Sequence, residues 1–291
     1  MKQDWTIKDL IAWTTRYFQK QGLAAARLEA EILLAYALEE NRVFLYTNFD
    51  APVNQQERER FRRLIQRRTR REPLAYITGE KEFMSLRFAV SPEVLIPRPE
   101  TELLVETAID LCARDGSRIC DVGTGSGAIA VSLAHYLPSA RITAVDVSME
   151  ALQIAGRNAA RHGVDIDFQL SDLLAEIDPA VKFDLIVANL PYITEAQYQC
   201  LEPEIRLYEP QQALLGGGDG LDIYRRLMPQ ASKHLNEGGR MLLEIGADQG
   251  HAAMDLARSL GPGQVMADLA GKDRLIIIEK GSDHDYQVLA D

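Results

Sequence analysis

From Arg118 onward, short apolar stretches and helical runs take turns, and this alternation restricts the fold more than any other feature of the sequence. The apolar stretches cover Arg118–Val122, Ile142–Asp146, Ile166–Leu170, Phe183–Ala188 and Arg240–Ile245. Helical spacing fills the intervals from about Ser126 to Tyr136, Met149 to His162, Leu221 to Leu235 and Gly250 to Leu260, and two last strands are expected near Val265 and Ile276. Strand and helix in alternation predict an α/β fold with a parallel sheet covered on both faces. Ligands of such sheets bind beyond the carboxyl ends of the strands, near the point where strand order reverses.

The chain before Pro73 is different and reads as helix only. Leu10, Ile11, Tyr17 and Phe18 recur at helical spacing, as do Leu28, Ile32, Leu33 and Ala35–Leu38, with Gly22 between the two runs. Asn54 is placed to cap a third helix. From Ala75 to Val90, apolar stretches flanking Gly79 predict a β-hairpin. The segment PEVLIPRPETE, Pro92–Glu102, follows, and its Pro99 suits a first helical turn with Glu100 and Glu102 opposing the positive helix end. These changes divide the chain into a helical domain over residues 1–73, a hairpin linker over 74–96 and an α/β domain over 97–291.

Composition narrows the class. No run approaches a membrane span, and MKQDWTIKD is not a signal peptide. Cys112, Cys120 and Cys200 contain no C-x-x-C, so neither a disulfide framework nor a metal site is indicated, and a reduced, cytoplasmic setting is expected. A net charge of −11 argues against broad contact with nucleic acid. The exception is Glu57–Glu72, with eight arginines against three glutamates. It reads either as a solvated helix face or as a basic dock for an acidic partner.

Two motifs sit at strand ends. Asp121-Val-Gly123-Thr124-Gly125-Ser126-Gly127 follows one strand and opens a helix, so a ligand can approach its backbone closely. The next strand ends in Asp146, whose carboxylate can accept from two ribose hydroxyls. Strand, glycine loop, helix and acid together predict nucleoside binding. Gly123-x-Gly125-x-x-Ala128 also fits a dinucleotide, so NAD is a rival. Asp121 favours S-adenosylmethionine, because a carboxylate there repels a pyrophosphate and welcomes an ammonium group, directly or through water. Asp172, after a further strand, can accept the adenine amino group or cap a helix.

The second motif is Asn189-Leu190-Pro191-Tyr192. Asn189 ends a strand of the same sheet, so its side-chain oxygen and the Leu190 carbonyl can accept both hydrogens of a planar NH2 group. Pro191 restricts the residue before it, which aims that carbonyl, and Tyr192 can lie on the flat face of an amide or base. Two acceptors can localise an amide lone pair and aim it at an electrophilic methyl, with orientation lowering most of the barrier.

At this point the chain resembles the protein-(glutamine-N5) methyltransferases of peptide chain release factors. The resemblance runs through REPLAYITGEKEF (Arg71–Phe83), PEVLIPRPETELLVE (Pro92–Glu106), DVGTGSGAIA (Asp121–Ala130), EPQQALLGGGDGLDIYR (Glu209–Arg225) and DLAGKDR (Asp268–Arg274). It implies a Rossmann-like class I methyltransferase domain with an antiparallel last strand, a small N-terminal helical domain that docks the substrate, and a hairpin linker. It implies S-adenosyl-L-methionine as cofactor and class I release factors as partners, methylated on the glutamine of a Gly-Gly-Gln loop that serves translation termination. By resemblance Gly123, Thr124, Gly125, Ser126, Gly127 and Asp146 hold the cofactor and Leu173 packs on its adenine. Asn189 touches cofactor and substrate, and Asn189–Tyr192 grip the glutamine amide. The family usually carries proline where this chain has Leu190, and some members an aromatic residue where it has Leu173.

Adenine-N6 methyltransferases share the Asn-Leu-Pro-Tyr pattern, since adenine presents the same NH2. They are expected to show a basic catalytic face, which this acidic chain lacks. A non-catalytic cofactor-binding scaffold and an NAD-dependent oxidoreductase complete the alternatives.

Overall fold

Thr6 and Asn54 start helices in the same way. Each side chain accepts the backbone amide three residues on, and the acid at that position, Asp9 or Glu57, reaches back to the cap's own amide. This reciprocal pair satisfies two otherwise free donors. The computed structural model describes residues 5–112 and 116–281, so the outermost residues of the first and last expected domains lie outside it. The helices are α1 (Ile7–Lys20), α2 (Ala26–Leu38), α3 (Arg42–Thr47), α4 (Gln55–Thr69) and α5 (Leu74–Thr78). With a short helix at Pro203–Tyr208 they form one compact unit, residues 1–79 and 202–208. Its core gathers Phe18, Leu33, Leu34, Leu45 and Phe61.

The arginine run is divided: Arg68 is buried, others are paired but stay partly exposed, and three face solvent. Arg68 is buried and holds Glu29 and Glu204, each at 2.7 Å. Arg67 binds Glu72, Arg60 binds Glu39, Arg58 reaches the Val53 carbonyl and Arg71 the Gln21 carbonyl. Arg62, Arg63 and Arg70 remain exposed.

The second unit takes residues 80–201 and 209–291. It opens with a hairpin of β1 (Glu80–Phe83) and β2 (Leu86–Ala89). The hairpin expected over Ala75–Val90 is therefore shorter, because its first part is α5. Gly79 does not make the turn; at φ +77° it ends α5 in the left-handed region. Met84 and Ser85, both at positive φ, make the turn without glycine or asparagine, so the usual hairpin signal is missing.

The rest of the unit runs through α6 (Glu102–Leu111), β3 (Arg118–Val122), α7 (Ala128–Tyr136), β4 (Arg141–Asp146), α8 (Met149–His162), β5 (Asp167–Leu170) and β6 (Phe183–Ala188). It continues with β7 (Ile193–Thr194), β8 (Leu215–Gly217), α9 (Asp222–His234), β9 (Leu235–Glu244), α10 (Gly250–Ala257), β10 (Gly263–Ala267) and β11 (Asp273–Glu279). Seven strands form one sheet in the order β10-β11-β9-β6-β3-β4-β5. From β9 to β5 neighbouring strands are parallel, while β11 is antiparallel to both β9 and β10. This is the mixed sheet of class I methyltransferases. Apolar residues cover both faces: Leu227, Ile186 and Met241 lie in one cluster, and Ile129, Val131 and Leu185 in the other.

Candidate functional site

Register alone assembles a row at the carboxyl edge of the sheet. Val122 pairs with Val145 on one side and Ala188 on the other, and Ala188 pairs with Leu243. The residues just beyond, Gly123, Asp146, Asn189 and Glu244, therefore stand side by side on a crest. A cavity of about 370 Å³ opens above it, within the size range of pockets that enclose small ligands.

The loop from Gly123 to Ser126 contributes one wall of that cavity. Gly123, Gly125 and Gly127 all have positive φ, but their work differs. A Cβ on Gly123 would lie 2.7 Å from Leu190 Cδ2, so the glycine loop and the Asn189 motif are packed together. A Cβ on Gly125 would meet nothing within 4 Å, which leaves its backbone open to a ligand. Gly127 does not line the cavity; its missing Cβ makes room for Ala155 of α8. Asn158, fully buried on α8, fastens Ser126 to the hairpin by donating to the Ser126 and Ala89 carbonyls at 2.8 and 3.0 Å.

Asp146 lines the cavity and braces the loop at once. Its Oδ2 accepts the Gly125 amide at 2.8 Å and its Oδ1 the Ser148 amide at 2.9 Å. Burial raises its pKa, and the backbone bonds pull the other way.

Asp121 departs from expectation: it is fully buried beneath the loop and does not line the cavity, so it makes no direct contact there. Its Oδ2 accepts the Thr124 hydroxyl at 2.7 Å and the Ala130 amide at 3.2 Å, while Oδ1 is buried without a partner. Burial pushes its carboxyl up to about 7. An unpartnered buried acid under a glycine cradle fits a positively charged ligand above it.

Leu173 is buried at the opposite wall, in the left-handed region at φ +58°. Asp172 beside it caps no helix. Its carboxylate pairs with Arg226 at 2.5 Å, and both side chains are half exposed at the cavity rim.

Asn189, Leu190 and Pro191 line the cavity together. Asn189 donates its Nδ2 to the buried Thr101 hydroxyl at 3.0 Å, and among the described residues its Oδ1 accepts nothing. Tyr192 departs from its expected stacking position. It sits behind the cavity wall, packed on the core, with its hydroxyl 3.4 Å from Glu244 Oε1. Its pKa rises to about 12, chiefly through burial.

The backbone of this motif is clamped from behind. Gln249 donates to the Tyr192 carbonyl at 3.1 Å. Cβ atoms on Gly216 and Gly220 would fall 2.5 Å from the Pro191 carbonyl oxygen and 2.1 Å from that of Tyr192. Gly216 and Gly220 of GGGDG are therefore glycine because two backbone segments touch.

Sequence reasoning did not single out Thr101, Glu244, Gln249, Asn158 or Glu209. Glu209, buried, accepts the Ile96 amide at 3.1 Å and the Arg98 guanidinium at 2.5 Å. It thereby ties the proline-rich segment, whose Val94, Leu95 and Pro97 line the cavity, to the segment leading into GGGDG. Thr101 and Glu209 lie inside segments that carried the resemblance, while Asn158, Glu244 and Gln249 lie outside all of them.

Comparison with known proteins finds relatives over most of the chain. Residues 9–79 match the PrmC N-terminal domain family, and residues 99–207 match the methyltransferase small domain family. A release factor glutamine methyltransferase from Geobacter sulfurreducens is 45% identical over 257 residues, covering 88% of this chain and 90% of that one. Its counterpart from Moorella thermoacetica is 44% identical over 278 residues, covering 94% and 98%. Among solved structures, a methyltransferase from Pyrococcus furiosus superposes with a TM-score of 0.53 at 21% identity, over 69% of this chain and 92% of that one. A Thermus thermophilus 16S rRNA N2 G1207 methyltransferase, in complex with AdoMet and guanosine, gives 0.53 at 18% identity over 69% and 49%. These two likenesses speak for the fold alone.

Proposed function

The chain belongs to the release factor glutamine methyltransferases, and we propose that it modifies the glutamine of the Gly-Gly-Gln loop of class I factors by gripping that side-chain amide with Asn189 and Leu190. The observation that carries this reading is the Asn189 carboxamide. Its nitrogen is taken by Thr101, its oxygen has no partner among the described residues, and Asn189 lines the cavity one strand away from the glycine loop.

Fold and family imply S-adenosylmethionine, which supplies an electrophilic methyl when bound. Gly123, Thr124, Gly125 and Ser126 would face it, Asp146 would accept from its ribose, and Leu173 and Asp172 flank the adenine end. Asp121 contributes negative potential from below, without contact. Gly127 and Tyr192 act as supports of loop and motif.

Asn189 Oδ1 and the Leu190 carbonyl each accept one hydrogen of the substrate NH2, which holds the nitrogen lone pair toward the methyl. The Tyr224 hydroxyl approaches the Leu190 carbonyl at 3.4 Å, but it has one proton and lies much closer to the Glu244 backbone carbonyl, and the Leu190 oxygen keeps a lone pair for the substrate. The amide nitrogen held in this way would take the methyl that the cofactor supplies, the cofactor leaving as a neutral thioether, and would give up one proton to water. Orientation supplies most of the rate, and no strong base is required.

The test is to incubate the chain with S-adenosylmethionine and a purified class I release factor, then map the added methyl by peptide mass spectrometry. The expected result is methyl on the Gly-Gly-Gln glutamine, with the rate lowered ~10²-fold in Asn189→Ala. Methyl at another residue, or an unchanged rate in the variant, refutes the assignment.

A further inference from the structure

One buried carboxylate plays no part in that mechanism. Glu244 ends β9 at 2% exposure and stands next to Asn189 on the crest. Its Oε2 has no well-formed hydrogen bond, its Oε1 receives a long one from Tyr192, and the Thr101 hydroxyl lies within reach of the carboxylate. Buried acids are seldom left so poorly satisfied without a use.

The groups facing Glu244 are Thr101, in the turn before α6, Glu100 beside it, Tyr192 after β6, and Arg274 on β11. Arg274 pairs with Asp268 at 3.1 Å, and no ion pair reaches Glu244 among the described residues. Burial pushes its carboxyl up to about 7, while Thr101, Arg274 and Tyr192 pull it back and Glu100 adds to the rise.

Thr101 is the hinge of the argument. Its oxygen accepts Asn189 Nδ2 at 3.0 Å, and its single proton has to go elsewhere. An ionised carboxylate can only accept, so a charged Glu244 draws the Thr101 proton to itself. The Thr101 lone pair is then left for the Asn189 NH2, and Oδ1 faces the cavity. A protonated Glu244 can instead donate to Thr101, which releases the Thr101 proton toward Asn189. That arrangement favours the flipped amide, whose NH2 would confront the NH2 of the substrate.

We infer that Glu244, acting through Thr101, fixes the polarity of the Asn189 amide, so that the site receives a substrate NH2 only while Glu244 is charged. Glu244 is thus a positioning residue for the methyl transfer. The inference rests on the role given above to Asn189.

The experiment measures kcat and KM for an intact release factor across roughly pH 5.5–9, using the full chain, Glu244→Gln, Thr101→Val, Thr101→Ser, the Glu244→Gln/Thr101→Val pair and Asn189→Ala. In the unaltered chain kcat should rise with pH along an acid limb near neutrality. Glu244→Gln is isosteric and should lose that limb, with kcat down ~30-fold and S-adenosylmethionine affinity unchanged. Thr101→Val should fall by a similar factor, the double variant no further than either single one, and Thr101→Ser should keep both rate and limb.

An acid limb that survives in Glu244→Gln overturns the inference, and so do effects that multiply in the double variant. A purely structural role would lower melting temperature while leaving the limb in place, which also counts against it. Full activity in Asn189→Ala instead removes the underlying reading, whatever the Glu244 variants do.

Discussion

Both units bury carboxylates, and those of the helical unit are treated in the opposite way from those at the carboxyl edge of the sheet. In the helical unit Glu29 is gripped by Arg68, and Glu31 is surrounded by Arg27, Arg42 and the Tyr46 hydroxyl at 2.8–2.9 Å. Burial pushes the Glu31 carboxyl up, but its three partners outweigh this and hold it below the usual range. Glu244 on the sheet crest and Asp121 beneath it each keep one oxygen without a partner, and burial lifts both to about 7. A buried charge that carries its own cation serves the fold. One that lacks a cation leaves room for a ligand to supply it, and the crest is where a sulfonium cofactor would lie.

The largest effect should come from breaking the contrast on its stable side. Arg68→Ala leaves Glu29 buried without its cation, and a loss of ~3–5 kcal/mol in urea unfolding is expected. A loss near zero would mean that the helical unit does not depend on its internal ion pairs.

The next effect tests the sign of the contrast. The folded pKa of Asp121 lies above its ordinary value of 3.8, so the stability it contributes is complete below that value and is lost as pH rises to about 7. Asp121→Asn should remove on the order of 2 kcal/mol of this fall between roughly pH 5 and 7. Glu31 has the reverse sign, since its pKa is lowered and its contribution is lost as pH falls. Glu31→Gln should lower stability across the neutral window without changing its slope there, and should remove the fall on the acid side. Urea midpoints measured against pH for both variants decide whether the two acids differ as described.

The smallest effect sharpens the contrast at the surface. Asp172 and Arg226 form an ion pair with both side chains half exposed, and Arg226→Ala should change unfolding free energy by less than ~1 kcal/mol. A larger loss would show that the cavity rim is more tightly coupled to the core than its exposure implies.

Much of the molecule could be read from local patterns. The capping role of Asn54 follows from the residue itself and its position before a helical run, and the glycine loop with Asp146 follows from a single strand–helix–strand step. Asn189 could be placed because its strand is a member of the same sheet. Thr101 could not, since it meets Asn189 only through packing that joins residues 88 positions apart, and Glu244, though inside an expected strand, needed the strand order to set it beside Asn189. The hairpin was misplaced for a local reason, because Gly79 closes a helix and the actual turn uses Met84 and Ser85. Gly127 and Tyr192 were identified as part of the right motifs, but burial gives them supporting places that no sequence pattern separates from contact.

The crest has one consequence for how such a site can be altered. Neighbouring strands in a sheet are ~4.8 Å apart, and Gly123 and Asn189 stand at the ends of adjacent strands. The reach from donor to acceptor is therefore ruled off by main-chain hydrogen bonds, much as the teeth of a comb fix a pitch. Swapping side chains can change what is held at either tooth, but the gap between them belongs to the backbone and survives any substitution that leaves the sheet intact.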